Sequence, residues 1–135
     1  MAIPKGPPRR YTASRQLIAG DDFNNVSDHT FSFQSLTAVG ANAQATATAL
    51  DGANIEIAAG VAAGAVKLPI SFPGAEVCIL NNSGNSQQVY GTGTDTVQTT
   101  GTTYAPAATG VALVTLTSAI YFCIKTGFWQ RSTTA

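Results

Sequence analysis

The 135-residue sequence is poor in charge, in histidine, in cysteine and in long apolar runs. Only 10% of its residues are charged and its formal net charge is zero, where an ordinary soluble domain is about a quarter charged. Such a surface has little electrostatic protection against association, which suits a protein whose exterior becomes interface. His29 is the single histidine. A nucleophile–His–acid triad needs that ring held by one partner and bonded to another. No GxSxG elbow accompanies it, and Asp28, its neighbour in an extended segment, would point to the opposite side. Cys78 and Cys123 lack CxxC spacing and sit in strand-like runs, EVCIL and IYFCIK. They are expected to be free, buried thiols rather than metal or redox ligands. No segment approaches the roughly 18 apolar residues of a membrane span. The opening MAIPKGPPRRY has no apolar stretch of the secretion-signal kind. The chain is therefore expected to be made in the cytoplasm and to avoid membranes.

The chemistry-bearing residues that remain do not cluster. Seven carboxylates, Asp21, Asp22, Asp28, Asp51, Glu56, Glu76 and Asp95, fall at no spacing that marks a cation loop. Gly91-x-Gly93 lacks the third glycine, the Lys-Ser/Thr pair and the helix of a phosphate loop, and is expected to be a turn. Among the few aromatics, Phe31, Phe33 and Phe122 are expected in the core, while Trp129 and Tyr90 fit either core or surface. The expectation is a protein that is not an enzyme and holds no cofactor or metal.

What the sequence does have is a basic head and a β-patterned body. Lys5, Arg9, Arg10 and Arg15 are four of the seven basic residues, and no acid precedes Asp21. Pro4, Pro7 and Pro8 lack backbone donors and favour extended geometry. Residues 1–22 are therefore expected to be an extended basic arm that contacts a partner, with a passive solvated tail as the competing reading. Arginines in such an arm can contact phosphates. No aromatic stacking pattern or second basic patch supports specific nucleic-acid recognition.

Residues 23–135 are expected to form one all-β domain, an antiparallel sandwich or jelly roll of about eight short strands. Thr30 to Leu36 alternates apolar with polar, Ile55 and Ile57 flank Glu56, and Glu76 to Leu80 is an apolar run. Asn81 to Asn85 reads as a hairpin loop leading to Gln88-Val89-Tyr90. Val111 to Leu116 and Ile120 to Ile124 read as two strands joined through Thr117-Ser118, and Phe128 to Arg131 as the last. Ala41 to Leu50, with Thr46 and Thr48 alternating with Ala, reads as strand or extended loop before helix. Ala58 to Val66 reads as a turn between strands, because Gly60 and Gly64 disfavour a helix.

Over a segment from about Ile55 to Trp129, with a lead-in from Leu50, the motifs LDGANIEIAAGVAAGAVKLP, GAEVCILNNSG, QQVYGTGTD, VALVTLTSAIYFCIKTG and FWQ follow one another. In this order they resemble small β-sandwich, jelly-roll-like virion proteins of tailed bacteriophages. The resemblance implies a capsid decoration, or cement, protein on the outside of the virion. It further implies the major capsid protein as partner and a homotrimer as the working unit. The alternative is a receptor- or glycan-binding module at the tip of a tail fibre or spike. Decoration goes with an anchoring arm at Lys5, Arg9, Arg10 and Arg15 and few exposed aromatics; receptor binding goes with clustered Tyr, Trp and Asn in end loops.

Overall fold

A computed structural model describes residues 33–40, 42–100 and 103–134. The expected arm, the boundary after residue 22, and His29 and Phe31 lie outside the described residues. Eleven strands are described: β1 (Phe33–Ala38), β2 (Thr48–Ala49), β3 (Asn54–Gly60), β4 (Ala65–Lys67), β5 (Glu76–Asn81), β6 (Gln87–Tyr90), β7 (Thr96–Thr100), β8 (Thr103–Tyr104), β9 (Val111–Leu113), β10 (Thr117–Lys125) and β11 (Phe128–Thr134). The body is all-β; one short 3-10 turn, Gln44–Thr46, precedes β2. The described part of the Ala-rich stretch, residues 42–50, is thus loop, turn and short strand rather than α-helix.

The strands form two sheets. One has the order β1-β3-β5-β10-β11-β7-β8 and the other β2-β4-β6-β9. From β1 to β6 the chain alternates between them, and the strands it adds to each sheet run parallel to the preceding one: β1, β3 and β5 in the large sheet, β2, β4 and β6 in the small. This is the winding of a three-coil solenoid. The return is antiparallel: β9 pairs with β6, β10 with β5, and β11 with β10. The expected purely antiparallel arrangement is therefore corrected to two mixed sheets, with more strands than the eight expected. Parallel neighbours need a crossover of a dozen or more residues, and residues 61–75 supply it between β3 and β5, with β4 as its central part. Asn81 to Asn85 marks a bend as expected, yet it joins β5 of the large sheet to β6 of the small one and makes no hairpin. Turn residues show where a chain reverses, not which sheet it re-enters.

Alternation along each strand builds the core. Ile55, Ile57, Val77, Ile79, Ala119, Tyr121, Cys123 and Trp129 of the large sheet and Val66, Val89, Val111 and Leu113 of the small one belong to a single buried cluster. Trp129 is fully buried. Two further expectations are corrected. Phe33 and Phe122 are not core residues but lie on the solvent face of the large sheet. Leu36 packs against the core, which by strand parity turns Phe33 outward. In the same way Tyr121 and Cys123 take the inside and leave Phe122 outside. The run Ile120–Ile124 is apolar on both faces, so its sequence does not reveal the inner one. The junction expected at Thr117-Ser118 also moves, since both residues are in β10 and the turn is Val114 to Leu116.

Candidate functional site: a tied loop end and an apolar sheet face

Three loops meet at one end of the body: 61–64 between β3 and β4, 82–86 between β5 and β6, and 114–116 between β9 and β10. Beneath them Asn81, Ser83, Asn85 and Gln87 recur at a spacing of two and form one hydrogen-bonded network, in which Asn81, Ser83 and Gln87 are buried. Asn81 Nδ2 donates to the carbonyl oxygens of Leu113 at 2.8 Å and Asn85 at 2.9 Å. Its Oδ1 accepts from Ser83 N at 3.1 Å and Ser83 Oγ at 2.7 Å. Asn81 thereby uses both amide hydrogens and both lone pairs. Gln87 Nε2 donates to Ser83 Oγ at 3.0 Å and to the carbonyl oxygens of Val61 and Asn85 at 3.2 Å. Asn85 Nδ2 holds Gly60 O at 2.9 Å, and Thr115 Oγ1 donates to Ser83 O. A buried polar group without partners is expensive, so a loop stitched this way is fixed in place.

Gly64 is required by this packing. A Cβ there would lie 2.4 Å from Gln87 Oε1 and 2.8 Å from Ala38 O. Above the network the loop tips are apolar: Val61, Val114 and Leu116 are exposed. Leu116 is 75% exposed with φ of +62°, a left-handed conformation costing a side-chain-bearing residue roughly 1–2 kcal/mol. Its N–H donates to Asn81 O at 2.7 Å, which holds it there.

The second feature is the solvent face of the large sheet. Register places Cys78 opposite Ile120, and Leu80 opposite Ser118, with Phe122 opposite Glu76. Leu80, Ile120 and Phe122 are 40%, 38% and 36% exposed, Ile124 is 53% and Phe33 is 67% exposed. The only charged residues in β1, β3, β5 and β10 are Glu56, Glu76 and Lys125. Glu56 accepts from Ser35 Oγ at 3.2 Å and Asn82 Nδ2 at 3.4 Å, and Lys125 Nζ lies 4.3 Å above the Phe128 ring. Polar neighbours on this face are Ser35, Asn54, Ser118, Gln130 and Ser132.

No family model, curated protein or solved structure matches this chain.

Several expected site residues can be placed. Lys5, Arg9, Arg10 and Arg15 lie outside the described residues. Cys78 and Cys123 are free thiols; Cys123 is buried as expected, and burial pushes its thiol pKa up, whereas Cys78 is half-buried on the outer face. Among the described residues no three His, Cys, Asp or Glu side chains come together. No helix there is long and apolar enough to cross a membrane. Tyr121 is buried and its pKa is raised to about 12 by desolvation, opposed by the charge of Arg131. The guanidinium makes its hydrogen bonds elsewhere, to Ala112 O and Thr99 O. It falls short of hydrogen-bond geometry with the Tyr121 hydroxyl, which has no partner among the described residues. Sequence reasoning missed the buried network, reading Asn81-Asn82-Ser83-Gly84-Asn85 as a surface turn. The available signal was the two-residue spacing of its amides and hydroxyl, the spacing of one strand face.

Proposed function

We propose that this chain is a non-enzymatic structural protein of a tailed-phage virion, a capsid decoration protein that binds the outer capsid surface as an oligomer and stabilises the head. The observation that carries the reading is the extent of apolar surface on a well-packed body. It covers the outer sheet face and the loop tips Val61, Val114 and Leu116. Contiguous exposed patches of this kind mark interaction sites, and a lattice of neighbours covers them. Phe33, Phe72 and Phe122 are exposed, but the placement of tryptophan and tyrosine among the described residues favours decoration over receptor or glycan binding. Trp129, Tyr121 and Tyr90 are buried, and Tyr104 is engaged edge-on by Phe128, ring centroids 5.4 Å apart. A sugar-binding tip would present such rings to solvent.

In this reading two packed sheets form a sandwich whose parallel neighbours depart from jelly-roll topology. The tied loop end offers a rigid apolar contact, and the arm carrying Lys5, Arg9, Arg10 and Arg15 reaches an acidic patch on the major capsid protein. Deleting residues 2–20 tests the anchor. The truncated protein should keep its β circular dichroism spectrum and bind bare particles more weakly, with less sensitivity to salt. Binding as tight as that of the intact chain, at low and high salt alike, contradicts the anchoring role.

A further inference from the structure

We infer that two copies of this chain pair face to face through the solvent side of the large sheet, centred on Ile120. The inference deepens the oligomeric part of the proposed function and needs no capsid.

The occupant is argued from area, charge and self-complementarity. With aromatic side chains of roughly 200 Å² and aliphatic ones somewhat smaller, the exposed fractions of Phe33, Leu80, Ile120, Phe122 and Ile124 amount to roughly 450 Å² of apolar surface. A stable interface takes about 800 Å² from each partner, of which about 65% is apolar in homodimers. The apolar strip and its polar neighbours therefore suit one partner of the same kind. Ile120 lies at the middle of the strip, beside Cys78 across the strand pair and between Ser118 and Phe122 along β10.

Charge does not oppose the contact. Glu56 is hydrogen-bonded by Ser35 and Asn82, and Glu76, at the start of β5, lies opposite Phe122. Of the polar groups beside the strip, Gln130 and Ser132 each carry both a donor and an acceptor. Such groups can bond their own copies across a two-fold axis, as a self-complementary interface requires. A face rich in one charge sign would repel itself, and this one is nearly uncharged. The solution unit assigned by this surface is a dimer, in place of the trimer implied by resemblance.

Sedimentation analysis of the intact chain at micromolar concentration should give twice the 13.8 kDa chain mass, and Ile120→Lys should return it to monomer with an unchanged circular dichroism spectrum. The unmodified chain supplies a second readout that does not depend on a variant folding. Cys78 sits beside Ile120, so its maleimide labelling should slow several-fold as concentration rises through the dimerisation range, with Cys123 unlabelled throughout. A monomer, a trimer, a dimer that Ile120→Lys leaves intact, or Cys78 labelling independent of concentration overturns the inference. Any of these results leaves the capsid reading to be judged on particles.

Discussion

Asn81→Asp changes the buried network by one atom and reverses the role of that atom. Asn81 Nδ2 donates to Leu113 O and Asn85 O. Asn85 O keeps Gln87 Nε2 at 3.2 Å, while the other side-chain donor to Leu113 O is Ser86 Oγ at a long 3.5 Å, so Leu113 O is the acceptor more exposed to loss. A protonated Asp can still donate one hydrogen bond there, and the variant then loses about one, near 1 kcal/mol. Ionisation is a different matter, because the carboxylate would face carbonyl oxygens in a buried site. Burial of this kind raises a carboxyl pKa by roughly 3–5 units from its unfolded value near 3.9. The folded-state pKa is raised, so the variant is most stable below the unfolded pKa and loses stability as pH rises toward the folded one. The slope is about 1.4 kcal/mol per pH unit, giving a loss of about 1 kcal/mol at pH 4 and about 5 kcal/mol at pH 7. That is comparable to the whole stability of a small domain, roughly 5–15 kcal/mol. Urea unfolding followed by the fluorescence of Trp129, the single and fully buried tryptophan, reads both values. A loss that stays below about 1 kcal/mol and does not change with pH would refute the claim that Asn81 ties the loop end together.

Tyr121, with its pKa pushed up to about 12, should make the parent protein lose about 2 kcal/mol between pH 10 and 12 as the unfolded tyrosine ionises first. Tyr121→Phe removes a hydroxyl with no hydrogen-bond partner among the described residues; it should be neutral or slightly stabilising at pH 7 and lessen that alkaline loss, both read by thermal denaturation. Gly64→Ala should cost about 1–3 kcal/mol in urea unfolding, because the new methyl meets Gln87 Oε1 and the Ala38 backbone. Leu116→Asn should raise the melting temperature by roughly 2–4 °C by placing a residue tolerant of positive φ at this exposed turn.

The legible part of the fold was its local pattern. Alternation around Ile55 and Ile57 and the apolar run Glu76 to Leu80 marked strand positions, whereas the turn expected over Ala58 to Val66 shrinks to residues 61–64, because Ala58 to Gly60 complete β3 and Ala65 and Val66 open β4. Pairing direction was not legible, because the strands of one coil meet only after the chain has crossed to the other sheet. No local signal distinguishes that crossing from a hairpin at Asn81 to Asn85. The inner face of β10 was equally hidden, as Ile120, Phe122 and Ile124 are as apolar as Tyr121 and Cys123. That ambiguity is itself informative. A strand apolar on both faces fits a sheet that packs on both faces, one against the core and the other against a neighbour. Of the two surfaces described, the loop end was concealed by its polarity, since buried Asn and Gln look like solvent-facing turn residues until their partners are known.

The most direct test of the proposed decoration role is a cryo-electron microscopy reconstruction of purified tailed-phage particles carrying this chain, compared with particles lacking it. The account predicts density for the β body on the outer capsid surface, at repeated junctions between capsid subunits, and its absence from the deficient particles. Density confined to a tail fibre or spike tip, or a capsid surface identical with and without the chain, would contradict it.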